Sequence, residues 1–453
     1  MLPVIRTRIY QRCLQSPSNP VIKCVWINRI LVRRYSSPLE AAAADVPIKP
    51  TPANAPITHK QVGYWLLGSA GLVFGIVVVG GLTRLTESGL SITEWNPVTG
   101  VLPPLTQDAW IEEFQKYKRH PEYKLLNQNI SLDEFKFIFF MEWAHRIWGR
   151  VIGLSFILPM TYFIARKKVT PRIRNRLLGI AGLIGFQGFI GWWMVRSGLG
   201  EDLKDQSGVP RVSQYRLATH LGLAFTVYLL MLHTGLSILN EHRFSASHAY
   251  RDAIIALKLP ALRNFKIAVG LTGAMVFLTA LSGAFVAGLD AGMIYNTFPL
   301  MGESLFPPKS ELISPNYARS SSDITWRNML ENPVTAQLDH RVLAISTFAA
   351  IVALWAYSRR LPLPRPVLKA TGGVLHVALL QVALGISTLL YVVPIPLAAA
   401  HQAGSLALLT MFVVLGSRLR VPRTLMASGI SRSKIHRSSL LIAGVGIHAN
   451  KTT

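Results

Sequence analysis

Eight apolar runs, each long enough to cross a lipid bilayer, decide what this chain can fold into. They occupy roughly residues 62–82, 135–164, 177–195, 217–239, 267–289, 336–357, 372–393 and 397–415. At 1.5 Å per residue a run of about 20 residues covers the ~30 Å hydrocarbon core, where only helices or closed barrels satisfy their own backbone groups. Length and continuity select helices, so the expected fold class is an all-α polytopic membrane protein with eight transmembrane helices. Composition agrees: of 453 residues, 50% are hydrophobic and 15% charged, where a soluble domain carries about a quarter charged. The 135–164 run exceeds the minimum, so its first turns are expected to project from the membrane.

The net charge of +25 reports topology. Nucleic-acid binding needs a soluble basic surface with a recognition module, and here the basic residues sit in a leader, in alternate loops and in a tail. Residues 1–38 hold Arg6, Arg8, Arg12, Lys23, Arg29, Arg33 and Arg34 and no acid. That composition predicts a mitochondrial presequence processed near Arg33-Arg34-Tyr35-Ser36-Ser37; a basic helix on a membrane surface is the alternative. A Pro- and Ala-rich linker over 39–61 follows. The second loop carries Arg166, Lys167, Lys168, Arg172, Arg174 and Arg176 without an acid, and the sixth carries Arg359, Arg360, Arg365 and Lys369. Acids gather in the first loop, among them Glu87, Glu94, Asp108, Glu122 and Glu134. Basic loops stay on the inner side, which places even loops and both termini in the matrix and odd loops in the intermembrane space of a mitochondrial inner membrane. Cys13 and Cys24 are the only cysteines and fall in the leader, so metal chemistry in the mature chain has to rest on His and carboxylates.

The two halves of the chain echo each other. Glu142-Trp-Ala-His145-Arg146 answers Gln337-Leu-Asp-His340-Arg341, and Gln187 with Gly191 answers Gln381 with Gly385. Ala218-Thr-His220 answers Ala399-Ala-His401, and Glu87-Ser-Gly89 answers Asp290-Ala-Gly292. Each half has an even number of runs, so both enter the membrane from the same side, as two parallel-repeat four-helix bundles. The N-terminal half is expected over 62–240, a matrix loop over 241–264, the C-terminal half over 265–417 and a basic matrix tail over 418–453.

His145, His220, His340 and His401 fall toward the intermembrane-space ends of even-numbered runs, at similar height within each half. An imidazole is expensive in hydrocarbon unless it faces a protein interior and does something there. Two at one height on parallel-running helices can approach a planar macrocycle from opposite faces, so the four predict two bis-histidine haem sites. A lone pair of imidazoles makes a poor zinc or copper site. His233, about 20 Å deeper than His220, and His376 have no partner at their own depth and read as structural. Glu142 stands one helical turn before His145, whereas its counterpart, Gln337, cannot ionise. A carboxylate beside a haem edge can accept a proton or steady positive charge, which makes the N-terminal half the reactive one and the C-terminal half a fixed cofactor site. Pairing of Glu142 with Arg146 or Arg150 at the membrane edge is the blander alternative. Arg84, Arg146 and Arg341 suit haem propionates, and they suit interfacial anchoring equally. The stretch 108–117 spaces its aromatics as an amphipathic helix, either a cover over the site or a flat interfacial helix.

Several stretches are more distinctive than the histidines: Gly80-Gly-Leu-Thr-Arg84-Leu-Thr86, Ile92-Thr-Glu-Trp95, Pro103-Pro-Leu105, residues 137–149, Gly288-Leu-Asp-Ala-Gly292 and Asn296-Thr-Phe-Pro299. On these residues, and over about 64–419, the chain resembles the haem A synthases of mitochondria and aerobic bacteria. The resemblance implies oxidation of a methyl group of haem O to a formyl group, through hydroxylated intermediates, giving the haem A of cytochrome c oxidase. It implies His145 and His220 as axial ligands of the substrate haem, His340 and His401 as ligands of a haem b, and Glu142 as the catalytic carboxylate. It further implies haem O supplied by a haem O synthase and electrons from a ferredoxin and its reductase. The cysteine pair of some bacterial members is missing, so a thiol role does not apply. No side chain here can oxidise an unactivated methyl group, so the haem iron must carry the redox step. A di-haem b-type electron-transfer cytochrome is the rival reading, since it needs the same histidines but no Glu142. A transporter on the parallel repeat fits less well, because the polar residues gather toward one face rather than the midplane. The residues leave the oligomeric state open, a homo-oligomer included.

Overall fold

The computed structural model describes residues 57–96, 102–199, 210–246, 257 and 260–420. One compact unit takes in residues 56–246 and 260–420. The expected presequence, most of the linker and nearly all of the basic tail lie outside the described residues. In chain order the helices are α1 (Lys60–Leu85), α2 (Gln107–Lys118), α3 (Pro121–Leu125), α4 (Leu132–Ala165), α5 (Pro171–Leu199), α6 (Gln214–Ala246), α7 (Arg263–Gly288), α8 (Lys309–Leu312), α9 (Ile324–Glu331), α10 (Pro333–Ser358), α11 (Arg365–Leu390) and α12 (Ile395–Leu419). Eight of these, α1, α4, α5, α6, α7, α10, α11 and α12, are long and apolar enough to cross a membrane. Among the described residues there is no strand. The all-α polytopic fold class holds.

Local chemistry sets the helix starts. Ser131 opens α4 with a reciprocal cap: its hydroxyl accepts the Glu134 N–H at 3.3 Å, and the Glu134 carboxylate accepts the Ser131 N–H at 2.8 Å. Asn332 caps α10 by accepting the Val334 N–H, with Pro333 at the first helical position, where its missing N–H costs nothing. The 34 residues of α4 span about 50 Å, well beyond a bilayer core. Its first turns find a partner in α2: Phe114 and Tyr117 pack with Phe135, Ile138 and Phe139, and Trp110 meets Phe139 edge-on at 5.1 Å. The amphipathic helix expected over 108–117 is therefore real, and its apolar side lies on the start of α4.

Within the N-terminal half, α1 packs on α4, α4 on α5, α5 on α6 and α6 back on α1. The C-terminal half closes the same way through α7, α10, α11 and α12. Between the halves, α1 touches α12, α6 touches α7, and α6 and α12 lie side by side. Exchanging α1 with α7 and α6 with α12 maps this seam onto itself. Polar contacts tie it: Tyr228 and Thr410 hydroxyls meet at 2.6 Å, and Gln402 of α12 donates to the Val77 carbonyl of α1 at 3.0 Å. At one end of the bundle Arg84 pairs with Asp290 at 2.6 Å, and Arg211 reaches the same carboxylate at 3.2 Å. Leu154, Leu158, Leu178, Leu271, Leu278 and Ile345 point outward and exposed, as a lipid-facing surface requires.

Candidate functional site

Each of the four histidines projects from a helix onto a glycine of the preceding membrane-length helix. The Cβ that Gly80 of α1 lacks would lie 2.8 Å from Cε1 of His145, 3.3 Å from Nδ1 and 3.7 Å from Nε2. Gly191 of α5 seats His220 with its Cε1 at 3.1 Å, Gly283 of α7 seats His340 at 3.3 Å, and Gly385 of α11 seats His401 at 2.8 Å. In all four Cε1 is nearest, Nδ1 next and Nε2 third, so the rings share one pose against their seats. The rings remain half-buried inside the bundle. His220 lies within electrostatic range of His145, and His340 within range of His401, so the structure brings together the two pairs drawn from the repeat.

Two glutamines brace the second histidine of each pair. Gln187 Nε2 donates to the His220 carbonyl at 2.9 Å, and Gln381 Nε2 donates to the His401 carbonyl at 2.9 Å. The first histidines differ. The Ser282 oxygen lies 2.8 Å from both the Thr279 carbonyl and His340 Nδ1; with its proton given to the carbonyl, Ser282 accepts from Nδ1–H. That tautomer leaves the Nε2 lone pair free. The matching position one helical residue before Gly80 is Val79, which offers no acceptor, and His145 Nδ1 is buried without a partner.

The residue three before each first histidine anchors the loop that follows the half's first helix. Glu142 is 3% exposed. Its Oε2 accepts the Ser91 hydroxyl at 2.7 Å and the Ile92 N–H at 2.8 Å, and its Oε1 accepts Arg146 at 3.1 and 2.7 Å. Gln337 fills the same place with reversed polarity: its Nε2 donates to the Ala291 carbonyl at 2.7 Å, and its Oε1 accepts Arg341 at 3.1 Å. The contact expected of the blander alternative is thus present, with Arg146; Arg150 donates instead to the Asn96 carbonyl at 2.7 Å. Arg146 also binds the Ile92 and Glu94 carbonyls, and Arg341 the Tyr295 and Leu300 carbonyls. Arg84 and Arg341 each keep an Nε–H buried and unpaired, whereas Arg146 has committed its own to Glu142. The glycine seats, Ser282, Ser91 and Gln402 were not singled out as site residues in the sequence. Aligning the two halves residue by residue would have paired Gly80 with Gly283 and Val79 with Ser282.

A planar macrocycle fits these residues. Four half-buried imidazoles present a common edge, and glycine seats leave room for each ring. Among the described residues, no group of three or more His, Cys, Asp or Glu converges on a point, so neither pair acquires the third protein ligand a bare metal ion needs. His233 has other partners, Ser237 at 3.4 Å and Arg420 at 2.5 Å, and His376 Nδ1 lies 2.7 Å from the Gly372 carbonyl.

Fold and site together define an all-α membrane protein of eight spans with two interior histidine pairs. Its sequence matches the profile of the COX15-CtaA family, described as cytochrome oxidase assembly protein, over residues 63–413. The chain belongs to that family. A haem A synthase COX15 of Saccharomyces cerevisiae is 54% identical over 82% of this chain and 78% of its own. The haem A synthase COX15 of Homo sapiens is 45% identical over 93% and 98%. A protein of Schizosaccharomyces pombe described as a haem A synthase–mitochondrial ferredoxin fusion is 50% identical over 82% of this chain and 63% of its own length.

Proposed function

We propose that this protein is a haem A synthase of the mitochondrial inner membrane, oxidising a methyl group of haem O to the formyl group of haem A. His145 and His220 hold the substrate haem, and His340 and His401 hold a resident haem b. The observation that carries the reading is the asymmetry between otherwise matching halves. Where the C-terminal half has Gln337 and a Ser282-fixed imidazole, the N-terminal half has the ionisable Glu142 and an imidazole without an Nδ1 acceptor. A partner on Nδ1 orients a ligating imidazole and raises its basicity, which suits a permanent cofactor; His340 has one, whereas His145, His220 and His401 keep Nδ1 unpaired. The repeated contact pattern supports two like four-helix bundles, and the basic even-numbered loops support termini in the matrix with both haems toward the intermembrane space.

Bound haem iron supplies the redox chemistry that no side chain here offers. The chain's own residues orient, shield and hold charge. Glu142, held by donors on both oxygens, places a carboxyl group one turn from His145, where it serves as the proton acceptor of the proposed reaction. The unpaired Nε–H groups of Arg84 and Arg341 suit propionate carboxylates. The fused ferredoxin of the fission-yeast relative supports a ferredoxin as electron source, and a ferredoxin reductase and a haem O synthase complete the expected supply. Family membership favours this reading over a di-haem electron-transfer cytochrome.

The test is haem extraction and chromatography from wild type, Glu142→Gln and Glu142→Asp. Wild type should carry haem b with haem O or haem A. Glu142→Gln should keep haem b and stall before haem A, a loss of about 10²-fold or more for a displaced proton acceptor. Two equivalents of haem b in every variant, with no conversion of haem O, would leave the electron-transfer cytochrome.

A further inference from the structure

A groove opens between α6 and α12 at the end of the bundle remote from the histidine pairs. Its volume is about 360 Å³, at the lower end of the ~300–1,000 Å³ usual for ligand sites. Leu229, Leu230 and His233 line it from α6, and Val413, Gly416 and Arg420 from α12. The first three fall at i, i+1 and i+4 and the others at i, i+3 and i+7, so each set occupies one side of its helix. Gly416 keeps the space open, since a Cβ there would meet nothing within 4 Å. All these side chains are half-buried except Arg420, which is exposed just past the end of α12. The lining is graded: the leucines and Val413 form the inner end, and His233 and Arg420 form the mouth. Thr226 also reaches the inner end, but its hydroxyl proton goes to the Gly222 carbonyl at 2.8 Å.

The mouth carries cations without an acid. Arg420 Nη1 donates to His233 Nε2 at 2.5 Å, which occupies the lone pair that could otherwise bind iron, and its other N–H groups have no partner among the described residues. Arg176 of α5 donates to the Thr234 hydroxyl, beside His233, at 3.3 Å and lies within electrostatic range of His233 and Arg420. No carboxylate of the described residues pairs with Arg176 or Arg420. Glu241 of α6 acts on His242 and Arg172 instead. An aliphatic floor below a cationic mouth complements an acyl chain that bears an anion, and a guanidinium matches the fork of a phosphate. We propose that the groove between α6 and α12 binds an anionic phospholipid, its acyl chain along Leu229, Leu230 and Val413 and its phosphate on Arg420. The same two helices join the halves through the Tyr228 and Thr410 hydroxyls, so the lipid splints the seam at the end away from the histidine pairs.

The full-length protein, purified in detergent, tests this by titration with phosphatidylglycerol and with phosphatidylcholine of the same acyl chains. Native mass spectra count the retained lipid, and the melting transition reports its effect, since a ligand of the folded state stabilises it by mass action. Phosphatidylglycerol should bind more tightly and raise the transition. Arg420→Gln should weaken phosphatidylglycerol by about fivefold and leave phosphatidylcholine unchanged. Gly416→Trp should fill the groove and abolish retention of both, whereas Gly416→Ala should behave as wild type. Arg418→Gln is the charge control, because Arg418 lies outside the groove and donates to the Pro366 carbonyl at 2.7 Å. Equal binding of the two lipids overturns the proposal. Equal weakening in Arg418→Gln and Arg420→Gln does so too, since the effect is then diffuse surface charge. Inorganic phosphate giving the same rise by itself makes this an anion site and removes the lipid. A dimer that Gly416→Trp dissociates gives the groove to a second copy of the chain instead. Should Gly416→Trp fail to fold, the comparison of Arg420→Gln with Arg418→Gln decides the question alone.

Discussion

A histidine ring resting on a glycine has no slack. At Gly80 and Gly385 a methyl group would come within 2.8 Å of the ring, too close for any van der Waals contact, and the ring would have to turn away from its pose. Overpacking of this kind costs about 1–3 kcal/mol and here falls on the ligand's orientation. On the proposed ligand assignment, Gly385→Ala should deplete the haem proposed for His401 and spare the one proposed for His145, whereas Gly80→Ala should do the reverse. Gly182→Ala and Gly372→Ala, where nothing lies within 4 Å of the added methyl, serve as controls with unchanged haem content. Difference spectra of the purified variants read the outcome, and equal loss of both haems from either seat variant would refute seat-specific control. At this scale the chemistry-bearing residues were legible, because a histidine or glutamate in an apolar run stands out. Gly191 and Gly385 stood out as a repeat, but the role of the seats was not legible, because a glycine in a membrane helix carries no mark of what it makes room for.

Helices and turns show where the chain accepts strain to place those residues. The turn between α11 and α12 holds Val392 at φ 60° and Val393 at φ 55°. A β-branched side chain is a genuine outlier in that left-handed region, which costs about 1–2 kcal/mol per residue. Val392 is exposed, so removing its side chain gives up little packing. Val392→Gly should raise thermal stability by about 1 kcal/mol, measured as a shift of the melting transition; a fall would mean that the exposed valine is held by lipid contacts. The corresponding turns after α1 and α7 use acids: Glu87 at φ 50° and Asp290 at φ 51°. The echo between Glu87-Ser-Gly89 and Asp290-Ala-Gly292 was readable in the chain, but the backbone conformation of its acids was not. The backbone places the acids in the left-handed region, and Asp290 then presents its carboxylate to Arg84 and Arg211.

Across the whole molecule the two halves meet where Gln402, next to His401, reaches over α1 and its side-chain oxygen lies against Gly81. A methyl at Gly81 would collide with that oxygen. Gly81→Ala should push Gln402 off the Val77 carbonyl and destabilise the seam by about 1–3 kcal/mol. Adding Gln402→Ala should recover much of that loss, because the obstruction and the side chain it meets are then both gone. A double-mutant cycle on thermal stability measures the coupling, and simple additivity would show that the two positions do not meet. By itself the sequence determined that the chain has eight helices long and apolar enough to cross a membrane, and it supplied the proposal that histidines pair within its halves. Hydropathy and helical periodicity are properties of consecutive residues, and a repeat can be read by laying one half over the other. Only the tertiary structure decided which atoms receive each side chain: that Glu142 accepts from Ser91 and Ile92, that Ser282 lies against His340 and that Glu122 Oε2 is buried without a partner. Those facts depend on approaches between segments tens to hundreds of residues apart, whose distances are set by packing and leave no local pattern in the chain.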